Sequence, residues 1–134
     1  MRATIISLGL VDEALEEFIG RPFERGGRGP DAYDCWGLVL ALRRHLGLLE
    51  PPDIATGTIT REQAHAQFAL QSRSGWRRMP LLSEGGIVLV PCAAHAGVHV
   101  AGRIVHAQAT AGVVAWKIGQ WTTAFGAPDC WEAV

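Results

Sequence analysis

The sequence predicts a single α+β domain, residues 1–134, in which helices come first and pack on an antiparallel sheet formed by the second half of the chain. Three observations carry that expectation. Helical periodicity is confined to 11–19, 35–49 and 60–71. Runs of β-branched residues are confined to 87–90, 98–100, 103–106 and 113–118. The length of 134 residues suits one core, and no repeat or low-complexity stretch marks a second.

Taken in order, 11–19 begins acidic and places Leu15, Phe18 and Ile19 at helical spacing. Asp12 or Glu13 falls near the N-terminus, where the helix dipole favours negative charge, and Gly20 ends the segment. Between 20 and 34 stand Gly20, Pro22, Gly26, Gly27, Gly29 and Pro30, a density that no regular element tolerates, so this is a loop. It delivers the chain to Cys35. From there Leu38, Val39, Leu42, Leu46 and Leu49 form one apolar stripe of a buried helix, with Gly47 as a stop signal. Thr60 caps a further helix, and 72–80 reads as an arginine-rich connector. Gly85-Gly86 then precedes the apolar strand 87–90. Ala101-Gly102 separates two β-rich runs as a two-residue hairpin turn, and 113–118 adds a strand. The tail holds Trp121 and Trp131.

Composition excludes several function classes. Hydrophobic residues are 49% and charged residues 19%, enough apolar material for a core and too little charge for a disordered chain. A formal charge of −1 supplies no field to hold nucleic acid or anionic lipid. No apolar run approaches the roughly 20 residues of a membrane-spanning helix, so membrane insertion is not expected. The first ten residues are apolar but carry only Arg2 as a basic residue, and no small-residue cleavage site follows. The expectation is cytoplasmic synthesis without a signal peptide. Cys35, Cys92 and Cys130 form no CxxC pair and fit neither a disulfide framework nor a zinc site; Cys92, His95 and His99 lack a second ligand cluster. No metal or cofactor is expected.

The chemistry converges on Cys35. A thiol becomes a nucleophile as its thiolate, and a helix N-terminus lowers a cysteine pKa through its unsatisfied N–H groups. Cys35 stands at such a loop–helix junction, whereas Cys92 and Cys130 do not. A small buried residue is the alternative, the usual fate of a free cysteine. A base must come from elsewhere in the fold. Counting outward from Ala101-Gly102, His99 faces Ile104, Gly97 faces His106 and His95 faces Gln108. Alternation puts His95, Gly97, His99 and His106 on one sheet face, with no side chain at Gly97 to block approach. His95 and His99 are both diagonal to His106, so the hairpin alone does not choose the base.

On these residues the chain resembles the NlpC/P60 family of cysteine peptidases. The stretch GRPFERGGRGPDAYDCWGLV is similar to that family's glycine-rich segment leading to Asp-Cys-x-Gly-Leu-Val, and HAGVHVAGRIVHA to its histidine strand, turn and second strand. The resemblance spans about 20–107 and implies a papain-like fold. It also implies a Cys-His-His triad with Cys35 as nucleophile, His95 as base and His106 as the group that orients it. It associates Asp34 with the free amine of a peptidoglycan stem peptide. Phe23 stands where the family commonly has a tyrosine hydroxyl and Trp36 where it has serine, both on the substrate-binding side. Trp36 either narrows the pocket or packs into the core. Ile87 stands where the family often has Asp.

The implied activity is hydrolysis of an amide in the stem peptide, between D-glutamate and the diamino acid, through a thioester. The Asp-Cys-Trp-Gly-Leu-Val version, the short length and the absence of a signal sequence or wall-binding module resemble domains encoded with phage tail genes. That subgroup implies tail-tip partners, location in a virion or phage-like tail, and action at the cell wall. Phe23 and Trp36 favour a second expectation, a catalytically weak or inactive tail assembly protein of the same fold. A third keeps the thioester chemistry with another acceptor or amide.

Overall fold

The computed structural model describes residues 8–54, 62–63, 66, 76–90 and 95–133. Helices α1 (Leu8–Phe18) and α2 (Cys35–His45) precede strands β1 (Trp76–Arg78), β2 (Ile87–Val90), β3 (His95–Val100), β4 (Arg103–Gln108) and β5 (Gly112–Lys117). Helix α3 (Ile118–Phe125) and strand β6 (Cys130–Ala133) complete the order. The sheet runs β1-β6-β2-β3-β4-β5 and each of its pairings is antiparallel. The α+β class and the helices-then-sheet order are those expected from sequence. The helix expected over 60–71 falls almost wholly outside the described residues, as does Cys92.

Two apolar layers flank the sheet. On one face Ala96, Val98, Val100, Val105 and Ala107 pack with the buried α2 residues Trp36, Leu38, Val39, Leu42 and Leu46, and with Val11, Ala14 and Phe18 of α1. Burial of each valine or leucine among them stabilises the fold by about 2 kcal/mol. On the other face Val88, Val90 and Ile104 meet Trp121, with Trp116, Ile118 and Phe125 around them. Alternation along β3 and β4 produces both layers, so the same two strands carry core residues on one side and the histidines on the other.

Several boundaries differ from the sequence expectation for physical reasons. Helix α1 begins at Leu8, before the acidic residues, so its first turn holds no Asp or Glu, and Ile19 lies beyond its end, 39% exposed. Helix α2 stops at His45 because Gly47 takes φ +75°, which turns the chain away and leaves Leu49 60% exposed instead of on the stripe. Arg43 is 1% exposed. Its guanidinium donates to the carbonyls of Gly85 (2.8 Å) and Leu49 (2.7 Å) and pairs with Glu132, joining the end of α2 to the sheet. Residues 76–78, expected as connector, form edge strand β1 against β6. Ile118 opens α3 instead of closing β5. The hairpin register is the expected one, with Val98 opposite Val105 and His99 opposite Ile104. Ala101 and Gly102 adopt φ 51° and 74°, the two left-handed residues that a primed hairpin turn requires.

Candidate active site

Cys35 is the first residue of α2, and the loop before it is built to hold it there. Asp34 is the N-cap: its Oδ1 accepts from the Gly37 N–H at 2.8 Å. The same carboxylate accepts from Gly26 N–H (2.9 Å) and from Arg28 Nη1 (2.8 Å), and Asp34 is 3% exposed. Arg28 also reaches Asp53 (3.0 Å) and the Ile54 carbonyl, pinning the glycine-rich loop to the segment after α2. The glycine of Asp-Cys-Trp-Gly has a steric origin. A Cβ on Gly37 would lie 1.9 Å from the Gly27 carbonyl oxygen, so loop and helix approach this closely only with glycine at 37.

Trp36 is fully buried in the core, its indole N–H donating to the Pro52 carbonyl at 3.2 Å. Of the two expectations for Trp36, the structure has core packing: it supports α2 from beneath and presents no surface to a substrate. Phe23 is half-buried against the same core, and its backbone bridges Tyr33.

The thiol of Cys35 meets β3 at its first peptide. The Ala96 N–H, in the peptide that joins His95 to Ala96, hydrogen-bonds to the sulfur, as does the Trp36 N–H. His95 is the residue whose peptide to Ala96 reaches the sulfur. Its Nε2 lies 2.8 Å from His106 Nδ1, with the two rings at 78°. His99, the other candidate base, instead places Nδ1 2.8 Å from the Ser83 carbonyl. Gly97 lets this happen: a Cβ there would fall 2.8 Å from Ile104 Cγ2 and 3.2 Å from His106 Cβ. The gap at Gly97 is filled by Ile104, by the Val105 carbonyl oxygen at 2.9 Å and by His106 Cβ.

An aromatic wall that sequence reading missed surrounds the pair. Trp121 stacks on His95 with centroids 5.8 Å apart and planes at 21°. Trp116 stands at 76° to His106, centroids 4.3 Å apart, and Phe125 approaches His95 at 5.2 Å. Trp116 follows from strand alternation, since it pairs with Ile104 on the histidine face. Trp121 and Phe125 ride on α3, whose sequence IGQWTTAF carries no strong start signal. Its N-cap is Lys117, and the Gln120 side chain accepts the Lys117 N–H at 2.8 Å.

The electrostatics reverse one expectation. Burial, and then the Asp34 carboxylate, push the Cys35 thiol up to about 12, against the smaller opposing effect of the Ala96 and Trp36 N–H groups and Arg28. The helix terminus was expected to lower it. The Trp36 N–H acts in that direction, but burial first and the Asp34 carboxylate second outweigh it. Burial holds His95 down to about 4; burial and the neighbouring His95 hold His106 down to about 3. At neutral pH the Cys35 thiol and the His95 and His106 imidazoles are therefore all neutral. Among the described residues no group of three His, Cys, Asp or Glu is placed to hold a metal ion, and no helix is long and apolar enough to cross a membrane. Cys130 is buried and free on β6, beside Ser83.

This fold is that of NlpC/P60 domains. The chain matches the NlpC/p60 domain of the peptidoglycan hydrolase SagA with a TM-score of 0.59 and 21% identity, covering 93% of this chain and 96% of that one. It matches a lipoprotein-like NLP/P60 protein of Staphylococcus aureus (TM-score 0.58, 17% identity, 96% of this chain and 43% of that one). NlpC1 of Trichomonas vaginalis is similar at TM-score 0.60 and 19% identity, over 96% of this chain and 47% of that one. No family model and no curated protein matches the sequence.

Proposed function

We propose that this chain is a cysteine hydrolase of bacterial cell-wall peptide, with Cys35 as nucleophile, His95 as general base and His106 as the residue that orients it. One observation carries the reading: the sulfur at the head of α2 rests on the His95–Ala96 peptide, while His95 is hydrogen-bonded at 2.8 Å to buried His106. Because thiol and imidazole are both neutral at rest, the proton leaves sulfur as attack begins instead of beforehand. Cys35 Sγ bonds to the scissile carbonyl carbon, and its proton passes to His95. His95 then returns the proton to the departing amine. Water, deprotonated by the same imidazole, cleaves the thioester and frees the thiol. Since Phe23 offers no hydroxyl and Asp34 holds the Gly37 and Leu38 N–H groups, oxyanion stabilisation rests on backbone N–H groups nearer Cys35 or on another donor.

The finer reading follows from the motif. The Asp34-Cys35 pair, similar to the family's amine-binding aspartate and nucleophile, supports cleavage between D-glutamate and the diamino acid of a stem peptide. The Trp36 version of the motif supports a place on a phage or phage-like tail, acting at the wall. Digestion of purified muropeptides, with products identified by mass, tests both bond and chemistry: Cys35→Ala is expected to abolish cleavage and keep the fold. Full cleavage by that variant excludes the proposal.

A second reading is an inactive or weak tail assembly protein of the same fold. The 9% exposure of Cys35 and its raised pKa favour it. Absence of any cleaved product from the wild-type chain across muropeptides of different wall chemistries would select it.

A further inference from the structure

His106 is completely buried, and its Nδ1 is engaged by His95 Nε2. Its other ring nitrogen, Nε2, is also buried but has no hydrogen-bond partner among the described residues. What meets the ring is aromatic: Trp116 lies nearly perpendicular to it at 4.3 Å between centroids, and Trp121 at 5.0 Å and 88°. Two arrangements of protons satisfy the bond between the two neutral imidazoles. In one, His95 donates from Nε2, His106 accepts at Nδ1 and carries its own proton on Nε2, and His95 Nδ1 keeps a lone pair. In the other, His106 donates from Nδ1, its Nε2 is left with a buried, unpartnered lone pair, and the His95 proton sits on Nδ1.

These alternatives are not equivalent beside an indole. The face of an aromatic ring carries the negative end of its quadrupole, which attracts an N–H and repels a lone pair. A buried lone pair with no donor also loses its hydration without replacement. We propose that Trp116 is a positioning residue: its ring holds the His106 proton on Nε2, and through the single hydrogen bond this fixes His95 as Nε2–H with Nδ1 unprotonated. On the functional reading above, from which its catalytic meaning derives, this is the tautomer that leaves His95 a vacant nitrogen for the thiol proton. The opposite tautomer has no nitrogen free to act as base, because its one lone pair already accepts from His106.

Nitrogen-15 NMR of the histidine ring nitrogens in the full chain at pH 7 reads the tautomers directly. The expected spectrum shows pyrrole-type Nε2 and pyridine-type Nδ1 for both His95 and His106. Trp116→Leu removes the ring face and is expected to shift the tautomer ratio roughly fivefold or more toward the alternative, whereas Trp116→Phe keeps the wild-type pattern. A wild-type chain with His106 protonated on Nδ1 overturns the proposal, and so does a Trp116→Leu variant with unchanged tautomers. If Trp116→Leu does not fold, Trp116→Met is judged by the same criteria. The readout needs no turnover. A wild type without hydrolytic activity but with the expected tautomers removes the functional reading and leaves this assignment supported. An active enzyme with the opposite tautomers does the reverse.

Discussion

His95 Nε2 and His106 Nδ1 lie 2.8 Å apart at the start of a hairpin whose two strands bring together residues 11 positions apart in sequence. The pair is flanked by Trp116, Trp121 and Phe125, with His106 fully buried and His95 partly so. That burial governs how the site responds to pH.

Hydrolysis is expected to lose activity on the acid side with a midpoint near pH 4, where His95 takes up a proton, and not near the ordinary histidine value of 6.5. A pH profile of kcat/KM on a stem-peptide substrate checks this, with circular dichroism confirming that the fold persists. A midpoint between 6 and 7 would show that His95 is solvated, against the packing described.

The same two histidines make folding stability depend on pH. Both are held below 6.5 in the folded chain, to about 4 and about 3, so between those values and 6.5 the unfolded chain binds protons that the folded chain refuses. Stability is complete above pH 6.5 and is lost as pH falls toward 3. Urea titrations at a series of pH values are expected to show this decline, with a shallower slope in His106→Gln, which removes one titration. An equal slope in both proteins contradicts the assignment.

Much of this site was legible in the sequence because its parts follow local rules. Ala101-Gly102 set the hairpin register, and register plus alternation placed His95, Gly97 and His106 on one face. That His95 and not His99 pairs with His106 was not legible from the hairpin, since it depends on Ser83, in the loop before β2, capturing His99. A helix N-terminus suggests a lowered thiol pKa, while burial and the Asp34 charge act the other way only once the loop has folded over Cys35. Helix α3 escaped notice because eight residues with two threonines and a glycine show little helical preference until Trp121 packs on the sheet.

Asp34 raises the Cys35 pKa while capping α2, and substitution separates the two effects. Asparagine caps a helix about as well as aspartate. Asp34→Asn is therefore expected to keep the fold, at a cost of about 3 kcal/mol from the lost charge pair with Arg28 and the lost acceptor for the Gly26 N–H. With the charge gone, the thiolate forms more readily and iodoacetamide should alkylate Cys35 at least about threefold faster at pH 8. Mass spectrometry of the labelled peptide gives the rate. An unchanged or slower rate would mean that Asp34 exerts no electrostatic hold on the thiol.

Gly37 and Arg43 mark two different ways in which α2 is fixed. At Gly37 the constraint is steric: alanine would drive a methyl group into the Gly27 carbonyl, and either loop or helix must withdraw. Gly37→Ala is expected to cost about 3 kcal/mol despite alanine's higher helix propensity, and to reduce activity because the shift moves Cys35. At Arg43 the constraint is polar. Arg43→Ala strands the Gly85 and Leu49 carbonyls and leaves Glu132 without its cation, for a loss of about 3 kcal/mol or more. Glu132→Gln, which keeps an acceptor for a guanidinium that retains both carbonyls, should cost about half as much. Arg43's hydrogen bonds and ion pair go to Leu49, Gly85 and Glu132, away from His95 and His106, so a folded fraction of Arg43→Ala should cleave substrate at the wild-type rate per folded molecule, whereas Gly37→Ala should not. Active-site titration combined with urea denaturation of the two variants distinguishes a displaced nucleophile from a merely less stable fold.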